Sequence, residues 1–157
     1  MNAETPFTGP FPDLRSERLL LRELRSDDAG ALFRQFSDEE VTRYYDLDTF
    51  RTIAEARELI GRFTSRFLNQ VGIRWGIARK ETPDTLIGTC GYNIWIQRHV
   101  RAVVGYDLAR SMWRQGIMSE ALSTVVRFGF AQMGLNRIET PIFAENAASG
   151  HLLKKTG

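Results

Sequence analysis

Apolar residues in this chain recur first at helical and then at strand spacing, and the switch of period divides it into elements. Leu19, Leu20, Leu21 and Leu24 make residues 19–24 a strand. Ser26 follows as an N-cap, with Asp27 and Asp28 suited to the positive end of a helix dipole. That helix runs to about Phe36 with Leu32, Phe33 and Phe36 on one face, and residues 38–45 form a further short helical turn. From 52 to 69, Ile53, Ala56, Leu59, Ile60, Phe63 and Phe67 return at the helical period. The period then drops to two. Residues 73–78 alternate, Pro83-Asp84 marks a turn, and 85–96 and 100–108 read as strands made antiparallel by the short link Gln97-Arg98-His99. A helix from Ser119 to about Met133 turns Ala121, Leu122, Val125, Val126 and Met133 inward and ends at Gly134 as a left-handed C-cap. Residues 137–143 form a strand parallel to 100–108, because a helix crosses between them, and a last helix occupies 147–156. The order is β-α-α-β-β-β-α-β-α. Residues 1–16, rich in Pro, Gly and Phe, read as an extended arm whose Phe7 and Phe11 pack on the domain or on a neighbouring subunit.

At 157 residues the chain supports one domain with its own core. A net charge of +2 implies no strong field for direct nucleic-acid binding. One cysteine, Cys90, excludes an internal disulfide and fits a reducing compartment; its strand setting makes it a buried small residue rather than a nucleophile. The two histidines lack partners at metal-ligand spacing, so no metal site is expected. No apolar run reaches the roughly 20 residues that span a bilayer, and no leader pattern opens the chain. Together these point to a cytoplasmic protein without a membrane partner.

The chemistry concentrates in Trp113-Arg114-Gln115-Gly116-Ile117-Met118-Ser119, between a strand and a helix. A helix N-terminus carries backbone N–H groups without intrahelical partners and the positive end of the dipole. Gly116 lets a ligand approach the backbone, and Arg114 adds a fixed cation. The geometry suits a pyrophosphate, although an ordinary turn with an exposed arginine has the same residues.

From Arg18 to Gly157 the chain resembles the GNAT acetyltransferase superfamily, in the branch of ribosomal-protein N-terminal acetyltransferases. The motifs are Glu17-Arg18-Leu19-Leu20-Leu21-Arg22, Leu86-Ile87-Gly88-Thr89-Cys90-Gly91, Val104-Gly105-Tyr106-Asp107-Leu108, the loop from Trp113 to Ala121, and Gly134-Leu135-Asn136-Arg137-Ile138-Glu139. Asn146-Ala147-Ala148-Ser149 and Leu153-Lys154-Lys155-Thr156-Gly157 follow in family order. The resemblance implies an α/β (α+β) GNAT fold: a mixed central sheet with a splayed parallel strand pair and flanking helices. It implies acetyl transfer from acetyl-CoA to an amine acceptor, a small molecule or a protein N-terminus.

The resemblance also assigns residues. Backbone groups of Tyr106, Asp107 and Leu108 line the pantetheine arm, and Trp113, Arg114, Gln115, Gly116, Ile117, Met118 and Ser119 form the phosphate loop. Met118 departs from the small residue the family prefers there; it either turns inward or crowds the cofactor. Asn146 matches a residue that holds the pantetheine arm and equally reads as a helix N-cap. Ser149 stands as donor to the leaving thiolate or as an ordinary first-turn serine. Glu139 is the candidate base, with an ion pair to Arg137 or another arginine as the alternative. Glu120 and Glu145 are weaker candidates. Asp38-Glu39-Glu40, Tyr44, Tyr45, Trp75 and Trp95 either line the acceptor cleft or serve as solvated face and packing.

The resemblance places an aromatic residue and two further strands after Gly157, so the expectation is a domain of residues 17–157 cut from a longer protein, with its C-terminal strands absent. A bare outer edge on the strand at 137–143 is then expected to self-associate, as in a homodimer. The alternative function is a GNAT-like CoA-binding or interaction domain without turnover.

Overall fold

The structure is a computed structural model that describes residues 10–43 and 47–140. Among the described residues six strands form one sheet in sequence order: β1 (Leu14–Arg15), β2 (Leu19–Glu23), β3 (Ile73–Arg79), β4 (Gly88–Ile96), β5 (Arg101–Leu108) and β6 (Arg137–Glu139). Neighbours are antiparallel except β5 and β6, which pair in parallel from Arg101↔Arg137 to Val103↔Glu139. The described residues also form α-helices α1 (Ala29–Phe36), α2 (Glu39–Thr42), α3 (Ile53–Leu68) and α4 (Ile117–Ala131).

Successive residues of β3 show how the sheet is covered, since side chains alternate between faces along a strand. Trp75 points to α4, meeting Phe128 edge-on with 5.3 Å between ring centroids. Arg74 points the other way, its guanidinium 5.2 Å from the centre of Phe63 on α3. The core is correspondingly double. Leu19, Leu21, Trp75, Ile77, Tyr92, Val104, Leu122 and Val125 fill the α4 side. Leu24, Leu32, Phe36, Ala56, Leu59, Ile60 and Phe63 fill the side of α1 and α3. With both faces covered, all but the last residue of β3 are buried, including Arg74 on the polar side of its alternation.

Several elements differ from the sequence reading. The arm at 1–16 contributes β1, which pairs with Leu20 and Leu21, and Pro12 accepts a hydrogen bond from Trp75 Nε1 at 2.7 Å. Phe11 packs on Phe67 and Trp75 of the same chain. Ser26 does not cap α1. A 3-10 turn, Ser26–Asp28, comes first, and buried Asp28 accepts both terminal nitrogens of Arg22 at 2.9 Å and the Arg25 N–H at 2.7 Å. The helix placed from Ser119 starts two residues earlier, directly after Gly116. Its end agrees: Gly134 has φ +69°, and Leu135 N–H bonds back to the Gly129 carbonyl at 3.0 Å. The region read as a final helix, and the strand after Thr140, lie outside the described residues.

Candidate functional site

The pairing of β5 with β6 runs from Arg101↔Arg137 to Val103↔Glu139, and β5 itself continues to Leu108. On the other side it remains bonded to β4, where Asn93 is inserted as a bulge between the pairs Tyr92↔Val104 and Ile94↔Val103. Gly105 sits opposite this region. A Cβ there would run into the Asn93 carboxamide and the Arg74 guanidinium, so close packing over the strand requires glycine.

Asp107 has a different environment from its neighbours. Its carboxylate accepts from Arg74 Nη2 at 2.9 Å, from the Thr89 N–H at 3.1 Å, and from Thr89 Oγ1 and Gln35 Nε2. Arg74 in turn donates to Thr89 Oγ1 at 2.8 Å and to Asn93 Oδ1 at 2.7 Å. The side chain of Asp107 is thus committed to a buried network with α1 and β3, and only its backbone faces the strand edge. Tyr106 and Leu108 turn to the α4 side.

The loop from β5 to α4 is shaped by side chains that satisfy its carbonyls. Trp113 Nε1 donates to the Leu108 carbonyl at 2.9 Å, and Gln115 Nε2 to the Ser111 carbonyl at 3.0 Å. Arg79 reaches Gln115 Oε1 at 3.0 Å, and Arg18 reaches the Gln115 carbonyl at 3.0 Å. Two residues take left-handed backbone, Arg114 at φ +63° and Gly116 at φ +75°. The result is a run of donors: among the described residues, the backbone N–H groups from Arg114 to Ser119 donate to no protein acceptor. Those N–H groups, the start of a 15-residue helix and the Arg114 guanidinium form a donor set suited to an anion. Met118 is buried with Ile117 in the core, so it turns inward and leaves the ligand side of the loop to backbone.

Other sequence candidates separate clearly. Glu139 lies between two arginines, 2.8 Å from Arg137 Nε and 3.6 Å from Arg101. Glu120 accepts from Ser16 Oγ, from the Arg18 N–H at 2.8 Å and from Arg18 Nε at 2.7 Å. Burial pushes the Glu120 carboxyl up. The hydrogen bonds from Ser16 and Arg18, with the Arg18 charge, outweigh that and hold it below its ordinary value. Asp38 caps α2 through the Glu40 N–H at 3.0 Å and pairs with Arg110 at 3.7 Å. Trp75 and Trp95 are core residues, not cleft lining. Burial pushes the Cys90 thiol up to about 12, as befits an inert packed cysteine. Tyr44, Tyr45, Glu145, Asn146 and Ser149 lie outside the described residues.

Residues 18–157 match the acetyltransferase (GNAT) domain family. The chain belongs to the GNAT acetyltransferase family. A GNAT relative named "uncharacterized N-acetyltransferase YoaA", from Bacillus subtilis (strain 168), is 44% identical over 147 residues, 94% of this chain and 82% of the relative. Another, "uncharacterized N-acetyltransferase p20" of Bacillus licheniformis, is 41% identical over 140 residues, 89% of this chain and 78% of the relative. The fold superposes with a TM-score of 0.83 on RimL, described as a ribosomal L7/L12 alpha-N-protein acetyltransferase in complex with coenzyme A. That match has 18% identity and covers 92% of this chain and 82% of RimL. The mixed six-stranded sheet with flanking helices matches the GNAT fold, and the chain is an acetyltransferase enzyme.

Sequence reasoning had not singled out Arg18, Arg79, Arg74, Gln35 or Asn93. The alternation of β3 set Arg74 on the polar side without showing that α3 covers it. Arg18 stood inside a motif with no sign of the partner that gives it a role.

Proposed function

We propose that this enzyme takes the acetyl group from acetyl-CoA and passes it to a primary amine, with a protein N-terminus as the acceptor class. The observation that carries the donor assignment is the run of unpartnered N–H groups from Arg114 to Ser119, beside the left-handed Gly116. A pyrophosphate supplies the acceptors those donors lack, and Arg114 adds charge. RimL and the N-acetyltransferase names of the relatives support the acceptor class.

Acetyl-CoA brings an activated thioester, and this chain's part is to bind and orient it and to manage protons. The pantetheine arm has amides of its own, and the family resemblance assigns it the backbone of Tyr106, Asp107 and Leu108 at the end of β5 as partners. Asn146 would hold the same arm, and Ser149 would protonate the departing thiolate. Glu139 suits a structural ion pair better than a base, because two arginines already occupy it. The inward Met118 removes the steric objection to the cofactor. A cytoplasmic setting agrees with a lone buried cysteine and with the acetyl-CoA pool.

Calorimetric titration with CoA, desulfo-CoA and ATP tests the donor, and transfer to peptides with free N-termini tests the acceptor. CoA and desulfo-CoA should bind alike and well above ATP. In a folded Gly116→Val protein that affinity should fall several-fold or more, because a β-branched residue resists positive φ. Equal binding of ATP and CoA would overturn acetyl-CoA as the donor, and an indifferent Gly116→Val would overturn the phosphate site. Absence of transfer to every peptide, with transfer to free amines intact, would overturn the acceptor.

A further inference from the structure

Arg18 reaches the loop between β5 and α4 from a distance in sequence. It lies at the turn between β1 and β2, yet it is tied to the segment 115–120 by three hydrogen bonds. Its backbone N–H and Nε hold the Glu120 carboxylate at 2.8 and 2.7 Å, and its Nη1 donates to the Gln115 carbonyl at 3.0 Å. Ser16 Oγ donates to the same carboxylate. A Cβ on Gly116 would lie 3.4 Å from Arg18 Nη2, so the guanidinium rests against the glycine.

We infer that Arg18 is a positioning residue for the phosphate-binding loop, fixing the direction of the Gly116 N–H by holding the Gln115 carbonyl. The inference rests on the reading of residues 114–119 as the pyrophosphate site. A trans peptide is planar, so its carbonyl and its N–H point in opposite directions. Anchoring the Gln115 oxygen on Arg18 therefore aims the Gly116 N–H away from β2. Glycine occupies positive and negative φ with similar ease, so this peptide plane is free to turn over unless something holds it. Turned over, it presents a carbonyl oxygen where a donor is needed, and an anion is repelled. Arg79 and Ser111 hold only the side chain of Gln115, which leaves the backbone orientation to Arg18.

Glu120 completes the device. A carboxylate in the first turn of α4 suits the helix dipole, but it also sets a negative charge beside a site for an anion. Its grip on Arg18 explains why it is useful there. Arg18 and Glu120 also border a groove of about 510 Å³ with Ser119, Ser123 and Arg127, so the pair stands at the surface of the site and not in the core.

Three variants separate positioning from simple charge: R18M keeps the aliphatic stem, R18K keeps the charge, and E120Q removes a negative charge. Binding of CoA and of inorganic pyrophosphate is measured by calorimetry, thermal midpoints are recorded alongside, and KM for acetyl-CoA is compared with kcat on a peptide with a free N-terminus. R18M and E120Q should each weaken CoA binding about tenfold and raise KM for acetyl-CoA, with kcat at saturation held within about twofold. R18K should not rescue, since one ammonium cannot span Glu120 and the Gln115 carbonyl in the guanidinium's fixed fork. If Arg18 acted only as a charge, R18K would bind like wild type and E120Q would bind more tightly; that result overturns the inference. If R18M melts below the assay temperature, E120Q still decides the sign. Wild-type protein that ignores CoA would sink the phosphate site and this inference together, whereas tight wild-type binding with an indifferent folded R18M would sink this inference alone.

Discussion

Trp113 Nε1 donates to the carbonyl of Leu108 at 2.9 Å, so the first residue of the proposed phosphate loop holds the last residue of the strand proposed to carry pantetheine. The bond joins the two halves of the proposed cofactor site. It also explains why an aromatic that is 39% exposed stands there.

Replacing Trp113 with Phe keeps the ring and removes the donor. The Leu108 carbonyl then loses its partner, which costs about 1 kcal/mol of stability. CoA affinity should drop several-fold because strand end and loop are no longer fixed together. Paired urea melts and CoA titrations check both; wild-type behaviour in each would show that the indole N–H is dispensable.

The ion pair of Arg74 and Asp107 has side chains only 5% and 1% exposed. Removing one member of such a pair strands the other, at a cost of about 3–5 kcal/mol. Arg74→Met should therefore lose stability on that scale in urea unfolding, while Arg74→Met with Asp107→Leu should recover part of it. A double variant no better than the single one would mean that Thr89 and Gln35 cannot be satisfied without the carboxylate.

Acid stability offers a test of Glu120. Its folded carboxyl titrates below the ordinary 4.5, so its contribution is fully present above that pH and is lost as the pH falls through the folded value. Wild type should accordingly exceed Glu120→Gln in thermal midpoint at neutral pH, and the gap should narrow below about pH 4.5. A gap that is constant from neutral to strongly acidic pH would deny the Glu120 carboxylate this role.

Periodicity carried most of the architecture. The stripe from Ile53 to Phe63 and the alternation at 73–78 are local properties, and a helix or strand follows from them without knowledge of the rest. The loop proposed to hold the pyrophosphate stood out for the same reason: glycine, arginine and a helix start occur within a few residues. The 3-10 turn before α1 was not, because Asp28 acts through Arg22, whose partner is set by the fold. Arg74 escaped notice because burial depends on what lies above the sheet. Met118 was ambiguous in sequence, and only the tilt of α4 into the core decided it.

The bonds from Arg18 to Glu120 and Gln115 join residues 102 and 97 positions apart in sequence. Such contacts close late in folding, since the entropy of a long loop is spent before they form. The proposed cofactor loop would therefore reach its shape only after the N-terminal strands have joined the sheet, and a nascent or partly unfolded chain would have no such site to offer. Cofactor occupancy and global folding are in this way linked: CoA at a concentration far above its dissociation constant should protect β1 and β2, at the opposite end of the sequence from most of the site, against opening.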